Sequence, residues 1–74
     1  MNQWEYPVRR TERRSPEPAV TLDTFTQLSD AKRFLRTVVE ARDGTVSSRQ
    51  MSGTYLDPQR DNIIRIWIGR RLRD

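Results

Sequence analysis

The 74-residue sequence predicts a two-layer α+β domain, in which one helix packs on a mainly antiparallel sheet of four or five strands. Three observations carry this prediction. One segment has apolar residues at helical spacing, and several others alternate between apolar and polar residues as strands do. Most of the strands are joined by links of hairpin length, which favours antiparallel pairing. We expect the order β-β-α-β-β, with one extra short strand as an open alternative, in a single small domain.

The helix is predicted over residues 29–42. Its apolar residues follow the spacing i, i+3, i+4, i+7, i+8, so they form one stripe along a helix with 3.6 residues per turn. These are Ala31, Phe34, Leu35, Val38 and Val39. The opposite side carries Lys32, Arg33, Arg36 and Glu40. The helix therefore has one apolar side, which a sheet must cover.

The ends of this helix have recognisable residues. Ser29 stands where an N-cap is needed, and Asp30 places a carboxylate in the first turn, where the helix dipole favours it. Gly44 follows the last turn and is predicted to be the left-handed residue that closes the helix.

Two strands are predicted before the helix. In residues 4–9, Trp4, Tyr6 and Val8 alternate with polar residues and Pro7. Because Pro7 cannot donate a hydrogen bond, we expect this strand to lie at an edge or to break there. Residues 19–25 form the second strand, paired with the first as a wide hairpin. Between them, residues 11–18 are predicted to be an exposed, mobile, basic loop.

The segment after the helix is predicted to complete the sheet. Residues 44–51 form a polar, weakly alternating strand, residues 53–56 a short apolar patch, and residues 57–62 a loop with Pro58 at the second position of a turn. Residues 63–68 form the clearest strand, with Ile64, Ile66 and Ile68 facing the helix. Residues 70–74 form a basic tail. The predicted core is Trp4, Tyr6, Val8, Val20, Leu22, Leu28, Phe34, Leu35, Val38, Val46, Leu56, Ile64, Ile66 and Ile68.

Composition argues against an enzyme. The chain has no cysteine and no histidine, so it lacks the usual zinc ligands, the usual general base near neutral pH and the thiol nucleophile. Its three glycines are isolated, and Asp57 and Asp61 lack the spacing of a calcium loop. We expect no cofactor and no metal. No apolar run is long enough to span a membrane or to act as a signal peptide, so a soluble cytoplasmic protein is expected.

The positive charge is clustered. The chain carries 14 basic and 10 acidic residues, and every basic residue but Lys32 is arginine. A GC-rich genome could explain the preference for arginine, but it does not explain two clusters, one formed by Arg9, Arg10, Arg13 and Arg14, and the other by Arg70, Arg71 and Arg73. If the first and last strands are neighbours, the clusters should merge into a surface that binds phosphates or an acidic protein. The alternative is a solvated fringe balanced by nearby glutamates.

A second candidate site is the sheet face away from the helix. The parity of the last strand places Ile63, Arg65 and Trp67 there, and we expect Arg49, Met51 and Tyr55 beside them. Aromatic and arginine side chains on an open sheet bind bases in RNA-recognition folds, and they also form the hot spots of protein interfaces. Self-association into a homodimer through the same face is the alternative, since an exposed tryptophan beside isoleucine needs a cover.

The order of elements also resembles a known class. The run Leu28-Ser29-Asp30-Ala31-Lys32-Arg33 after a strand, then Gly44-Thr45-Val46 and a terminal hairpin ending in Trp67, resembles small phage-encoded ββαββ proteins of the anti-CRISPR kind. Such proteins block type I CRISPR surveillance complexes. The resemblance implies a stoichiometric inhibitor that docks a basic and aromatic face onto a ribonucleoprotein or its DNA path.

The sequence therefore predicts a non-enzymatic binding protein from a phage or mobile element. The favoured partner is a host protein or ribonucleoprotein that handles nucleic acid. One alternative is a direct DNA- or RNA-binding protein that uses the arginine clusters on phosphates and Trp67 for stacking. The other is a structural phage component that assembles through the open sheet face.

Overall fold

A computed structural model describes residues 3–15 and 17–73, and in these residues one helix packs on one face of a six-stranded antiparallel sheet. The two-layer α+β class is therefore confirmed, although the sheet has more strands than the four or five expected. The elements are β1 (Trp4–Glu12), β2 (Val20–Phe25), α1 (Leu28–Glu40), β3 (Thr45–Val46), β4 (Ser52–Asp57), β5 (Asn62–Ile68) and β6 (Arg71–Leu72). β4 corresponds to the extra short strand that the sequence left open, and β6 is added because the tail pairs with β1.

The strand order places the first strand inside the sheet. The order is β2-β1-β5-β4-β3, and β6 pairs with the beginning of β1. The wide hairpin between β1 and β2 is confirmed. Because β2 and β3 lie at opposite edges, the connection through α1 crosses the whole sheet, which is how the helix comes to cover its centre. No helix within residues 3–15 and 17–73 is both long and apolar enough to cross a membrane.

β1 does not lie at an edge, and of the two outcomes expected from Pro7 the structure shows an interruption of the pairing there, on the side of β5 and β6. β1 pairs with β6 at Trp4 and Glu5, and with β5 from Val8 onward, so Pro7 lies where the partner strand changes. The Pro7 carbonyl accepts a hydrogen bond of 2.8 Å from the Gly69 N–H, and proline has no N–H to return one. The missing donor therefore interrupts the ladder at a point where the neighbouring strand has already ended.

The apolar stripe of α1 is confirmed. Ala31, Leu35 and Val39 are fully buried against the sheet, and Phe34 and Val38 are half-buried beside them. The predicted N-cap is wrong: Gln27 occupies that position without a side-chain hydrogen bond, and Ser29 lies in the first turn. Asp30 is in the first turn, as predicted.

The C-terminus of α1 is closed by Asp43 and not by Gly44. Asp43 has φ 56°, and its N–H donates to the Glu40 carbonyl while the Gly44 N–H donates to the Val39 carbonyl. These two bonds form a Schellman motif with Asp43 in the left-handed conformation. Gly44 serves a different purpose, because a Cβ there would lie 2.7 Å from Val39 Cγ1 and 2.8 Å from Tyr55 Cβ. Only glycine lets the chain pass this close to β4.

The core lies between α1 and the centre of the sheet. Its buried residues are Val8, Ala31, Leu35, Val39, Ile64, Ile66 and Ile68, and Tyr6, Leu28, Phe34, Val38 and Val46 pack against it as predicted. The prediction is wrong for three aliphatic residues, Val20, Leu22 and Leu56, which are 54%, 40% and 61% exposed. Trp4 is half-buried outside this cluster and pairs with Leu72 of β6.

The exposed residues of β2 have a common cause. β2 is an edge strand, and a bulge between Val8 and Arg9 shifts its register so that Leu22 has no direct partner in β1. Val20 is opposite Arg10, toward the polar end of the sheet. Alternation along β2 therefore did not identify core residues.

The predicted loop and tail are shorter than expected. β1 continues through Thr11 and Glu12, so the described part of the loop begins at Arg13, and Pro16 lies outside the described residues. Mobility of this loop stays a prediction. Arg71 and Leu72 form β6, whereas Asp74 lies outside the described residues. The strand predicted over residues 44–51 is confined to Thr45 and Val46, after which the Gln50 N–H donates to the Ser47 carbonyl in a turn.

Candidate binding surface on the open sheet face

The sheet face away from α1 is termed the open face. Ile64, Ile66 and Ile68 of β5 are buried against α1, so the alternate residues Ile63, Arg65 and Trp67 face outward. Ile63 and Arg65 are exposed, and Trp67 is half-buried. The predicted placement of these three residues is confirmed. They form the central strip of the open face because β5 has β1 on one side and β4 on the other.

β1 contributes an arginine that packs on the tryptophan. Arg9 is directly opposite Trp67, and its guanidinium carbon lies 5.6 Å from the centroid of the indole ring. Arg9 Nη2 donates a hydrogen bond of 3.2 Å to the Ala19 carbonyl. Arg9 Nε is buried without a hydrogen-bond partner, a cost that the electron-rich indole face partly offsets. Arg9 therefore fixes the ring against the sheet.

β4 contributes the other side of the open face. Thr54 is opposite Arg65, and Leu56 is opposite Ile63. Leu56 and Ile63 are 61% and 37% exposed, so this cross-strand pair presents apolar surface to solvent. Arg65 makes no ion pair within residues 3–15 and 17–73. The open face thus combines an apolar end, an arginine in the middle and an anchored tryptophan.

Three residues predicted on the open face lie elsewhere. Tyr55 is opposite Ile64, and the Met51 carbonyl accepts the Ile68 N–H, so both residues are on the side of α1 and pack against the core. Arg49 is exposed in the turn after β3. The error has one physical origin: the turn at residues 47–50 interrupts the strand that was expected to continue, and the alternation restarts in β4 with a different parity.

The two arginine clusters do not merge. β1 and β5 are neighbours as required, but they are antiparallel, so Arg13 bonds to Ile63 at the start of β5 while Arg73 bonds to Gln3 at the opposite end of β1. β1 has 9 residues, so Arg13 and Arg73 are about 30 Å apart, whereas Arg9 is opposite Trp67, three residues before Arg70. The prediction of one continuous positive surface is therefore wrong.

The first cluster is also divided between the two faces of the sheet. Arg9 is on the open face, whereas Arg10 is on the α1 side, where its Nη2 lies 2.8 Å from Glu12 Oε1. Arg60 also pairs with Glu12. Arg13 is exposed in the loop, and Arg14 is 3.9 Å from the Asp61 carboxylate.

The charges around Glu12 are mutually compensated. The hydrogen bond from Arg10 lowers the pKa of Glu12, with a further contribution from the Arg60 charge, although burial acts in the opposite direction. Burial acts against the charged form of Arg10, but hydrogen bonds with Glu12 and Tyr55 outweigh it and raise the Arg10 pKa. Arg42 lies 5.6 Å from the Tyr55 ring centroid in the same cleft of about 390 Å³. The contacts of this cluster connect β1, β4 and the turn at residues 58–61.

Two arginines of the tail contact side chains of β1. The Arg70 guanidinium carbon is 4.3 Å from the Trp4 ring centroid, and Arg71 pairs with Glu5 across the β1–β6 ladder. Both contacts attach the tail to β1. Arg73 is exposed.

Thr54 and Leu56 are the members of the open face that sequence reasoning missed. The turn at residues 58–61 could have indicated their position. Pairing Asp57 with Asn62 across this turn places Leu56 opposite Ile63 and Thr54 opposite Arg65. Within residues 3–15 and 17–73, no group of three or more carboxylates is arranged to hold a metal ion. The chain matches no family model, no curated protein and no solved structure.

Proposed function

We propose that this chain is a non-enzymatic docking protein, encoded by a phage or mobile element, that binds a host complex handling nucleic acid and modulates it through the open face. The supporting observation is the combination of the Leu56–Ile63 apolar pair with Arg65 and the Arg9-anchored Trp67 on one uncovered surface. Aromatic and arginine side chains beside apolar surface are the composition of interface hot spots. The resemblance to anti-CRISPR proteins supports the class of partner.

A protein partner fits this surface better than stacked bases. Base stacking needs an aromatic ring whose face is free, but Arg9 already occupies one face of the half-buried Trp67. The exposed side chains of Leu56 and Ile63 are aliphatic, and aliphatic side chains contribute to protein interfaces by losing contact with water. Arg65 is free of carboxylates in the described residues, so it can pair with an acidic group of the partner.

The test uses a purified type I CRISPR surveillance complex as the probe. The wild-type chain should co-elute with it in size-exclusion chromatography. The variants Arg65→Ala and Leu56→Ala/Ile63→Ala should each weaken binding by about tenfold or more, as expected for hot-spot residues. Val20→Ala is the matched control, because Val20 is an exposed aliphatic residue on the other side of the sheet. Equal binding by all four proteins would remove the open face from the proposal.

Self-association is the second candidate function, and the exposed Leu56–Ile63 pair favours it as well. A second copy stacked on the open face would bury both side chains. Sedimentation at micromolar concentration distinguishes the two functions: a monomer is expected for a docking protein, and a dimer that Leu56→Ala/Ile63→Ala dissociates is expected for an assembling one.

A further inference from the structure

The outer surface of α1 carries three cations that the open face does not include. Lys32, Arg33 and Arg36 line an open groove of about 240 Å³ together with Ser29 and Gln50. Gln50 belongs to the turn after β3, so the groove runs between this turn and the first half of the helix. We term it the helix groove. The residues that line it are either cationic or neutral, and none is acidic.

The three cations have no ion-pair partner in the described part of the chain. Asp30 precedes Arg33 by three residues and Glu40 follows Arg36 by four, the spacings at which ion pairs form on a helix. The ion pairs within residues 3–15 and 17–73 nevertheless involve Glu5, Glu12, Asp57 and Asp61 only. No ion pair within the described residues therefore compensates the positive charge of the helix groove.

Placing these charges together destabilises the helix slightly. Lys32 and Arg36 are like charges one turn apart, an arrangement that is unfavourable in isolated helices. Neither residue packs in the core, and Arg33 and Arg36 are exposed. The fold gains nothing from this arrangement, whereas an anionic ligand would convert the repulsion into a binding site.

We infer that the helix groove binds the phosphate backbone of nucleic acid without reading its sequence. Lys32 and Arg36 are separated by about 6 Å along the helix axis, and duplex DNA carries a charge every ~1.7 Å along its own axis, so several phosphates come within reach. The planar donor fork of arginine suits phosphate oxygens. An acidic protein fits less well, since the groove offers no aromatic or aliphatic anchor of the kind that protein interfaces use.

This inference goes beyond the proposed function. The helix groove and the open face belong to opposite layers of the domain, so one chain can hold a protein on one side and nucleic acid on the other. Because the two surfaces share no residue, a variant of one leaves the other intact, and the two proposals succeed or fail separately.

The test measures fluorescence anisotropy of a labelled random-sequence DNA duplex of about 24 base pairs, titrated with the wild-type chain at salt concentrations from about 50 to 200 mM. The variant Lys32→Gln/Arg33→Gln/Arg36→Gln should bind at least tenfold more weakly at the lowest salt. Each lost phosphate contact flattens the slope of log K against log salt by about 0.9, so a reduction of about 2–3 is expected.

A matched variant distinguishes the effect of the helix groove on DNA binding from the effect of net charge. Arg13→Gln/Arg14→Gln/Arg73→Gln removes the same number of charges from exposed positions outside the groove, and its slope should change by less than about one. An equal loss in both variants would show that only net charge matters and would overturn the inference. Displacement of the duplex by polyglutamate at equal charge concentration would assign the groove to an acidic protein instead.

Circular dichroism melts, and a variant with the opposite expected effect on binding, test whether weaker binding is caused by unfolding. The groove variant should melt no lower than the wild type at low salt, because it removes the repulsion between Lys32 and Arg36. Asp30→Asn removes a negative charge beside the groove and should strengthen duplex binding a few-fold. Weaker or unchanged binding by Asp30→Asn would contradict the inference independently of the triple variant.

Discussion

Arg9 and Trp67 lie directly opposite each other in the ladder between β1 and β5, with the guanidinium carbon 5.6 Å from the indole centroid. A cation over an indole ring contributes about 0.5–1 kcal/mol at exposed sites and more where water is excluded. Both side chains are half-buried, and Arg9 also bonds to the Ala19 carbonyl ahead of β2. The pair therefore links β5, β1 and the residue before β2, and it anchors the Trp67 end of the open face.

We predict that Ile66→Ala damages the fold and Trp67→Ala does not. Ile66 is fully buried, and truncating a buried isoleucine costs about 2–5 kcal/mol, a large part of the stability of a domain this small. Trp67 is on the opposite face and half-buried, so its truncation should cost no more than about 2 kcal/mol. Circular dichroism melts of the two variants measure this difference. A lower melting temperature for Trp67→Ala would contradict the assignment of the two faces.

We predict that Gly44→Ala is strongly destabilising because of its surroundings. The added Cβ would be 2.7 Å from Val39 Cγ1, 2.8 Å from Tyr55 Cβ and closer still to the Thr54 carbonyl oxygen. Overpacking of this kind costs about 1–3 kcal/mol or more, since backbone must move. Gly69→Ala is the control, because its Cβ would come no closer than 3.3 Å to Pro7 Cγ. Urea unfolding should give a clear loss for Gly44→Ala only, and similar losses in both variants would refute the packing argument.

The β5 strand and the helix stripe could be predicted because local pattern determines them. Isoleucine at every second position of β5 identifies the buried face of that strand, whichever strands are its neighbours. The apolar stripe from Ala31 to Val39 follows from the helical period alone. The same reasoning failed where the neighbouring strand determines whether a side chain is buried. Val20 is in an edge strand next to a bulge, and Leu56 faces solvent because the turn at residues 58–61 sets its register against Ile63.

The candidate site shows the same division. Ile63, Arg65 and Trp67 were correctly placed by parity along one strand. Tyr55 and Met51 were not, because the turn at residues 47–50 resets the alternation before β4. The arginine clusters were expected to merge on the basis of strand adjacency alone, whereas the antiparallel direction of β1 and β5 puts Arg13 and Arg73 at opposite ends of β1. Strand direction and turn position are long-range properties that local composition does not encode.

We predict an acid-dependent loss of stability that depends on Glu12. The hydrogen bond from Arg10 lowers the folded-state pKa of Glu12 below its ordinary value of 4.5, with help from Arg60. A carboxyl group whose pKa is lower in the folded state stabilises the fold above its unfolded pKa, and this contribution disappears as the pH falls through the folded pKa. Glu12→Gln should therefore be less stable than the wild type near about pH 7, and the difference should shrink below about pH 4.5.

Urea unfolding across this pH range measures the difference between wild type and Glu12→Gln. Glu40→Gln is the control, because Glu40 is exposed and makes no ion pair in the described part of the chain. Its difference from the wild type should be small at every pH. A difference for Glu12→Gln that stays constant down to about pH 3 would show that the carboxylate charge contributes nothing to the cluster.

We predict that Asp43→Gly stabilises the protein. Asp43 has φ 56°, a left-handed conformation that costs an L-residue roughly 1 kcal/mol and glycine almost nothing. Its carboxylate also stands at the negative end of the helix dipole. Glycine makes the unfolded chain more flexible, which offsets part of the gain, so a net stabilisation of about 0.5 kcal/mol is expected. For a domain of this size that corresponds to a rise in melting temperature of about 2–4 °C.

Two further variants separate the causes of this stabilisation. Asp43→Asn removes the charge but keeps a side chain that tolerates the left-handed region, so it isolates the dipole contribution. Ala41→Gly introduces glycine two residues earlier, where the backbone is right-handed at φ −62° and ψ −18°, and it should lower the melting temperature because alanine is preferred there. If Asp43→Gly lowers the melting temperature as much as Ala41→Gly does, the helix does not end in a Schellman motif at Asp43.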